Sequence, residues 1–163
     1  MKKLLPIVLA ALLLPLPQTA SALCIVCSCS VAIDSNVAFG TYNPLPGTAA
    51  DAAGHFTVTC DLIVGLLSTY SVALSKGGSG GYSPRKMSSG TNTLNYNLYT
   101  DAARTTIWGD GSGGSTIVSD RSLLFLLGHV VRPYDVYGRI LANQQATFPG
   151  SFSDTITVIV TYN

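Results

Sequence analysis

The sequence contains no glutamate, and all eight acidic residues are Asp. Charged side chains of both signs make up only 10% of the 163 residues, and Trp occurs once. Helical proteins cover their solvent faces largely with Glu and Lys, which are good helix formers and well hydrated. Their scarcity argues against a helical bundle, a coiled coil or an acidic disordered tail. A formal charge of +1 leaves no basic face for a nucleic-acid partner. Beyond the N-terminus there is no apolar run of the ~20 residues that a membrane span needs. In place of charge the chain carries Thr, Ser, Asn and 16 Gly, the composition of a β-rich domain with neutral polar faces. At this length it is one domain.

The N-terminus reads as a secretory signal peptide over residues 1–22. Lys2 and Lys3 precede the apolar run Leu4 to Leu14, and Ala20-Ser21-Ala22 supplies a small-residue cleavage site. Pro6, Pro15 and Pro17 speak against a retained anchor, and Leu23 before Cys24 does not fit a lipoprotein signal. The mature domain is therefore expected over 23–163. Loss of Lys2 and Lys3 moves its formal charge from +1 to −1.

Four cysteines in an exported chain point to disulfides. Cys24, Cys27 and Cys29 crowd the new N-terminus and Cys60 lies about thirty residues on. Cys24-x-x-Cys27 has the spacing of a zinc knuckle, but no second such pair follows and His55 and His129 stand in unrelated contexts, so no metal site is expected. Cys29 to Cys60 is the preferred bridge, because each cysteine lies beside alternating β sequence. Cys24 and Cys27 are left to pair with each other or with another molecule.

From Val31 onward the chain reads as short strands divided by turns. In Asp154 to Tyr162, Ile156, Val158, Val160 and Tyr162 share one face and Thr155, Thr157 and Thr161 the other, with Ile159 breaking the pattern. Phe56, Val58 and Cys60 alternate with His55, Thr57 and Thr59; Tyr70, Val72 and Leu74 alternate with Ser71, Ala73 and Ser75. Leu94, Tyr96 and Leu98 form a further set, and Tyr134, Val136 and Ile140 another. About seven short strands with this period-two pattern and a disulfide near the start fit an all-β, Ig-like sandwich. The apolar runs Leu62 to Leu67 and Leu123 to Leu127 are assigned to buried strand ends or apolar loops.

No constellation of residues reads as catalytic. Gly77-Gly78-Ser79-Gly80-Gly81 matches the spacing of a nucleophile elbow, but Tyr82-Ser83-Pro84 follows where that motif needs a helix, so a hairpin loop is expected. The stretch Gly109 to Gly114 lacks the Lys of a phosphate-binding loop. His55 and His129 fall in no Ser-His-Asp order. A two-carboxylate hydrolase would have to draw on Asp residues in turns. Trp108 and the tyrosines are accounted for by packing rather than sugar stacking. A secreted lectin or hydrolase is therefore the weakest reading, and no cofactor is expected.

Taken together, several segments carry a resemblance. Cys29-Ser30-Val31, Val37-Ala38-Phe39-Gly40-Thr41-Tyr42-Asn43-Pro44 and Phe56-Thr57-Val58-Thr59-Cys60 are followed by Tyr96-Asn97-Leu98-Tyr99-Thr100-Asp101-Ala102-Ala103-Arg104-Thr105. Trp108-Gly109-Asp110-Gly111, Val136-Tyr137-Gly138-Arg139-Ile140 and Pro149-Gly150-Ser151-Phe152-Ser153-Asp154-Thr155-Ile156-Thr157-Val158 complete the set. The chain resembles the spore coat protein U domain family over nearly all of 23–163. In Gram-negative bacteria that resemblance implies a subunit of an archaic, Csu-type chaperone-usher pilus, a surface fibre of cell adhesion and biofilm. The implied fold is an Ig-like sandwich lacking its final strand, exported to the periplasm, held by a periplasmic chaperone and polymerised through an outer-membrane usher with other pilin subunits. It also implies the Cys29–Cys60 disulfide. Phe56, Val58, Ile156, Val158, Val160 and Tyr162 are the expected partner-strand groove and C-terminal strand. Two departures, Leu141 where the family has Pro and Pro133 within a strand-like segment, predict disturbed pairing near Tyr134.

From Leu23 to Ser28 there are fewer residues than a donor strand of about ten needs. The expectation is a chain that accepts a strand but is poorly equipped to give one, as suits a terminal or tip position. The rival reading is a non-fibrous secreted coat or matrix protein of the same family.

Overall fold

The structure, a computed structural model, describes residues 24–65, 69–121, 128–144 and 149–162. The expected signal peptide and the run Leu123 to Leu127 lie outside the described residues. Eight strands follow in chain order: β1 Cys24–Ser35, β2 Ala50–Gly65, β3 Thr69–Leu74, β4 Arg85–Ser89, β5 Asn92–Tyr99, β6 Val118–Arg121, β7 Gly128–Ile140 and β8 Val158–Tyr162. There is no helix among the described residues. One sheet has the order β1-β2-β7-β5-β4 and the other β6-β3-β8. Every pairing between these strands is antiparallel, so the chain is an all-β sandwich of two antiparallel sheets.

The alternation seen in sequence becomes burial. Phe56, Val58 and Cys60 are buried in β2, Val72 and Leu74 in β3, and Leu94, Tyr96 and Leu98 in β5. Burying such aliphatic and aromatic side chains stabilises a fold by about 1.5–3 kcal/mol each. Trp108, 1% exposed, joins the two sheets. Its ring lies 5.7 Å from Phe56 and 5.9 Å from Tyr134, while its Nε1 donates to the Val72 carbonyl at 2.9 Å. The ring lies in the core and not at the surface, where sugar stacking would need it.

Arg85 has no exposed surface. Its guanidinium donates to the Ser75 and Trp108 carbonyls and to Asn97 Oδ1, at 2.6–3.0 Å. Burial lowers its pKa from the usual arginine range. The Tyr82 ring faces it at 4.9 Å, and Asn97 Nδ2 donates in turn to the Tyr82 carbonyl. This buried cation, hydrogen-bonded to no carboxylate among the described residues, survives because the Ser75 and Trp108 carbonyls and the Asn97 side-chain oxygen meet its hydrogen-bonding capacity.

Cys29 and Cys60 are directly opposite in the β1–β2 register and form a disulfide, with Cα atoms 4.1 Å apart. The backbones of Cys24 and Cys27 run in β1, but their side chains, and so their pairing, lie outside what is described.

Four expectations change. The described residues form eight strands where about seven were expected. The C-terminal strand begins at Val158, although the in-and-out alternation does start at 154. Pro133 does not interrupt pairing: it sits opposite Thr57 inside β7, and Tyr134 sits opposite Phe56. Pairing of β7 with β5 begins only at Tyr137, so at Pro133 the strand has a single neighbour, the setting in which strands accept proline. The Gly77 to Gly81 segment is a loop but not a hairpin, because β3 and β4 belong to different sheets and the segment crosses between them.

Candidate functional site

After β1 the chain leaves its sheet. Residues 36–43 belong to no strand, yet Val37 and Phe39 are half-buried while Asn36, Ala38 and Gly40 are exposed, a strand-like alternation that slips by one residue at Thr41 before half-buried Tyr42. Over 36–42 the main chain makes no backbone–backbone hydrogen bond among the described residues. The far end is tacked down by a side chain instead, Tyr42 Oη donating to the Leu141 carbonyl at 3.1 Å.

On the other side stands β8. It pairs with β3 and ends its sheet, so its second edge is open among the described residues. Residues 154–157 prolong it, with Ser75 N donating to the Thr157 carbonyl at 2.9 Å. Between β8 and the 36–43 segment runs a cleft of about 840 Å³. Its walls include Val37, Phe39, Phe152, Ile156 and Val158, and its floor is the core itself, with Met87, Leu94, Tyr96 and Ile140. Ile33 of β1 also lines it and is 57% exposed. Ile33 is opposite buried Phe56, and facing residues of an antiparallel pair point the same way. This large apolar side chain thus points to the inner face yet stays more than half exposed.

At one end of the cleft Asp154 fixes the wall. Its Oδ2 accepts from Tyr96 Oη at 2.6 Å, and its Oδ1 accepts from the backbone of Gly78 and Thr155, both at 2.8 Å. Burial first and the Asp154 carboxylate second push the Tyr96 phenol well above the ordinary tyrosine range.

Of the six groove residues read from sequence, Phe56, Ile156 and Val158 line the cleft. Val58 is buried at 1% exposure beside it, and Val160 packs half-buried against the core. The side chain of Tyr162 lies outside those described. Sequence reasoning missed Val37, Phe39 and Tyr42 as a wall. The period-two spacing from Val37 to Phe39 was the available signal.

The other candidate chemistry is dispersed. His55 Nδ1 meets Asp135 Oδ1 at 2.6 Å and His129 Nδ1 meets Asp61 Oδ1 at 2.7 Å, each pair exposed and directly opposite across β2 and β7. No hydroxyl nucleophile is hydrogen-bonded to either imidazole among the described residues. Arg139 grips Asp51 through two hydrogen bonds of 2.7 and 2.8 Å, which lowers the Asp51 pKa. Among the described residues no group of three or more His, Cys, Asp or Glu is arranged to hold a metal ion.

Fold and cleft together define a disulfide-tied β-sandwich whose core is open along one side. The chain belongs to the spore coat protein U domain family, whose sequence model matches residues 17–159. Among solved structures it is similar to a chain of the CsuC–CsuE chaperone–tip adhesion subunit pre-assembly complex from the archaic chaperone-usher Csu pili of Acinetobacter baumannii, with 18% identity and a TM-score of 0.45. That likeness covers 83% of this chain but only 40% of the other. Comparison with curated proteins gives no match.

Proposed function

We propose that this chain is a structural subunit of a chaperone-usher pilus whose fold is completed by a strand from another protein. One observation carries the reading: the open edge of β8 and the main chain of residues 36–43, without backbone pairing among the described residues, flank a cleft floored by the core. A strand laid between β8 and residues 36–43 would pair on both sides, restore a continuous ladder and cover Ile33, Phe39 and Ile156. An unpaired apolar edge is otherwise an aggregation hazard. Main-chain bonds would supply affinity and alternate side chains the fit. The eight residues 36–43 correspond to about 26 Å of strand, so the donor offers about four inward side chains.

The donor is first a strand of a periplasmic chaperone and then a segment of a neighbouring subunit, handed on at an outer-membrane usher. The product is an adhesive fibre on the cell surface. Family membership supports this reading, and so does the absence from the sequence of any catalytic constellation.

The test is strand uptake. An eleven-residue fluorescent peptide with Val or Ile at every second position and Thr, Ser or Lys between is mixed with the disulfide-intact protein. Saturable binding, with a rise of about 2.7 kcal/mol in stability at a hundredfold excess over Kd, is expected. Absence of both would sink the proposal. Co-purification from periplasm separates the fibre from a secreted coat protein, since only the fibre subunit is expected in a one-to-one chaperone complex.

A further inference from the structure

The 36–43 wall has no backbone ladder to hold it, so its position must come from what it rests on. It rests on two glycines. Gly54 of β2 and Gly138 of β7 are both buried. Their register partners are Val136 and Ala52, which places the two glycines diagonally on the inner face of the sheet. A Cβ on Gly54 would lie 2.8 Å from both the Ser35 carbonyl oxygen and the Val37 nitrogen, and 2.9 Å from the Asn36 carbonyl carbon. A Cβ on Gly138 would lie 2.5 Å from Val37 Cγ1 and 2.7 Å from the Phe39 ring. Ordinary carbon contacts begin near about 3.5 Å, so either methyl would push the wall outward by roughly 0.7–1 Å. Arg104 Nε donates to the Gly138 carbonyl at 3.1 Å and keeps β7 from yielding instead.

We infer that Gly54 and Gly138 are positioning residues for the cleft, setting the distance between the 36–43 wall and β8 at what one inserted strand can bridge. This rests on the strand-acceptor reading above. Neighbouring strands stand about 4.7–4.9 Å apart, so a strand seated between two edges needs them about 9.5 Å apart. Displacing one of those edges by about 1 Å takes its ladder beyond hydrogen-bonding distance, which ends near about 3.2 Å for N–H···O. The two glycines act differently. Gly138 meets side chains, which can be trimmed, whereas Gly54 meets main chain, which cannot.

The experiment measures Kd for the eleven-residue alternating peptide with the parent, Gly54→Ala, Gly138→Ala, Val37→Ala and the two combinations with Val37→Ala. Each glycine variant is expected to bind at least about tenfold more weakly than the parent, as loss of several ladder bonds requires. Adding Val37→Ala to Gly138→Ala removes the shorter of its two contacts but leaves the Phe39 ring at 2.7 Å, so it recovers part of the lost binding relative to Val37→Ala alone, while adding it to Gly54→Ala restores nothing. A general loss of stability would not separate the two glycines in this way. Binding by either glycine variant within twofold of the parent overturns the inference, and so does equal rescue of both. If Gly138→Ala yields no folded protein, the Gly54→Ala chain decides: binding within twofold of the parent overturns it. A parent that does not bind the peptide overturns this inference and the strand-acceptor reading together, whereas a parent that binds as well as its variants overturns the inference alone.

Discussion

Tyr96 and Asp154 meet across the sandwich at 2.6 Å, the phenol of β5 donating to a carboxylate at the foot of β8. The bond ties the five-stranded sheet to the open wall of the other and fixes one end of the cleft. Removing the hydroxyl leaves Asp154 with its two backbone donors, Gly78 and Thr155. Tyr96→Phe is expected to cost about 1.5 kcal/mol, as for a hydrogen bond to a charged group, read as a lowered urea midpoint at pH 7.

The same pair predicts alkaline sensitivity. Burial and Asp154 raise the Tyr96 pKa above the ordinary range, so the folded chain keeps this proton where the unfolded chain loses it. Stability from this group is fully present below about pH 10, the unfolded tyrosine value. It is lost as pH rises further, at about 1.4 kcal/mol per pH unit. Urea midpoints between pH 9 and 11.5 should fall less steeply for Tyr96→Phe than for the parent. Equal slopes would mean that Tyr96 gains no proton affinity on folding.

The Cys29–Cys60 bridge closes a loop with a sequence separation of 31 and staples edge strand β1 to β2. The loop-entropy account gives roughly 3–4 kcal/mol for such a closure. A Cys29→Ala/Cys60→Ala chain should lose that amount in urea unfolding, with a steeper slope because the freed unfolded chain exposes more surface. β1 also leads directly into the 36–43 wall, so the variant should take up the alternating peptide more weakly even where it remains folded.

Arg85 is a charged residue that works as a core residue. Arg85→Met leaves the Ser75 and Trp108 carbonyls and Asn97 Oδ1 without this donor, at about 1–3 kcal/mol for each group left unsatisfied. A loss of about 3 kcal/mol or more is expected in equilibrium unfolding. Arg85→Lys should recover only a minor part, because a point cation lacks the planar fork that reaches three acceptors at once. Near-complete recovery with Lys would show that charge rather than geometry is what the site requires.

Arg85 also marks where the sequence stops being legible. Alternation located β2, β3, β5 and β8 and said which faces were apolar, because side-chain period is local chemistry. It pointed to Cys29 and Cys60 for the same reason. It could not mark Arg85 as buried, since a cation reads as surface until the carbonyls around it are known. Nor could it show that Val37 and Phe39 fold back over the inner face of the five-stranded sheet. That placement depends on Gly54 and Gly138, distant in sequence and identifiable as a seat only in three dimensions. Pro133 misled because tolerance of proline depends on where β5 stops pairing, a property of the partner strand.

Ile33 offers the sharpest separation of fold from function. It points to the inner face of the sandwich but is 57% exposed, whereas Val58, two register positions along the same strand pair, is 1% exposed. Truncating a side chain that is already wet costs little: Ile33→Ala should change free-chain stability by less than about 1 kcal/mol. Val58→Ala opens a cavity in packed core and should cost about 2 kcal/mol or more. Strand uptake reverses the order of interest, because an inserted strand would bury Ile33 and gain the transfer energy that the free chain forgoes. Ile33→Ala should therefore weaken peptide binding about fivefold to tenfold, equivalent to about 1–1.4 kcal/mol of recovered burial. If Ile33→Ala left binding unchanged, the inserted strand would not reach β1, and the acceptor would have to lie wholly between β8 and residues 36–43.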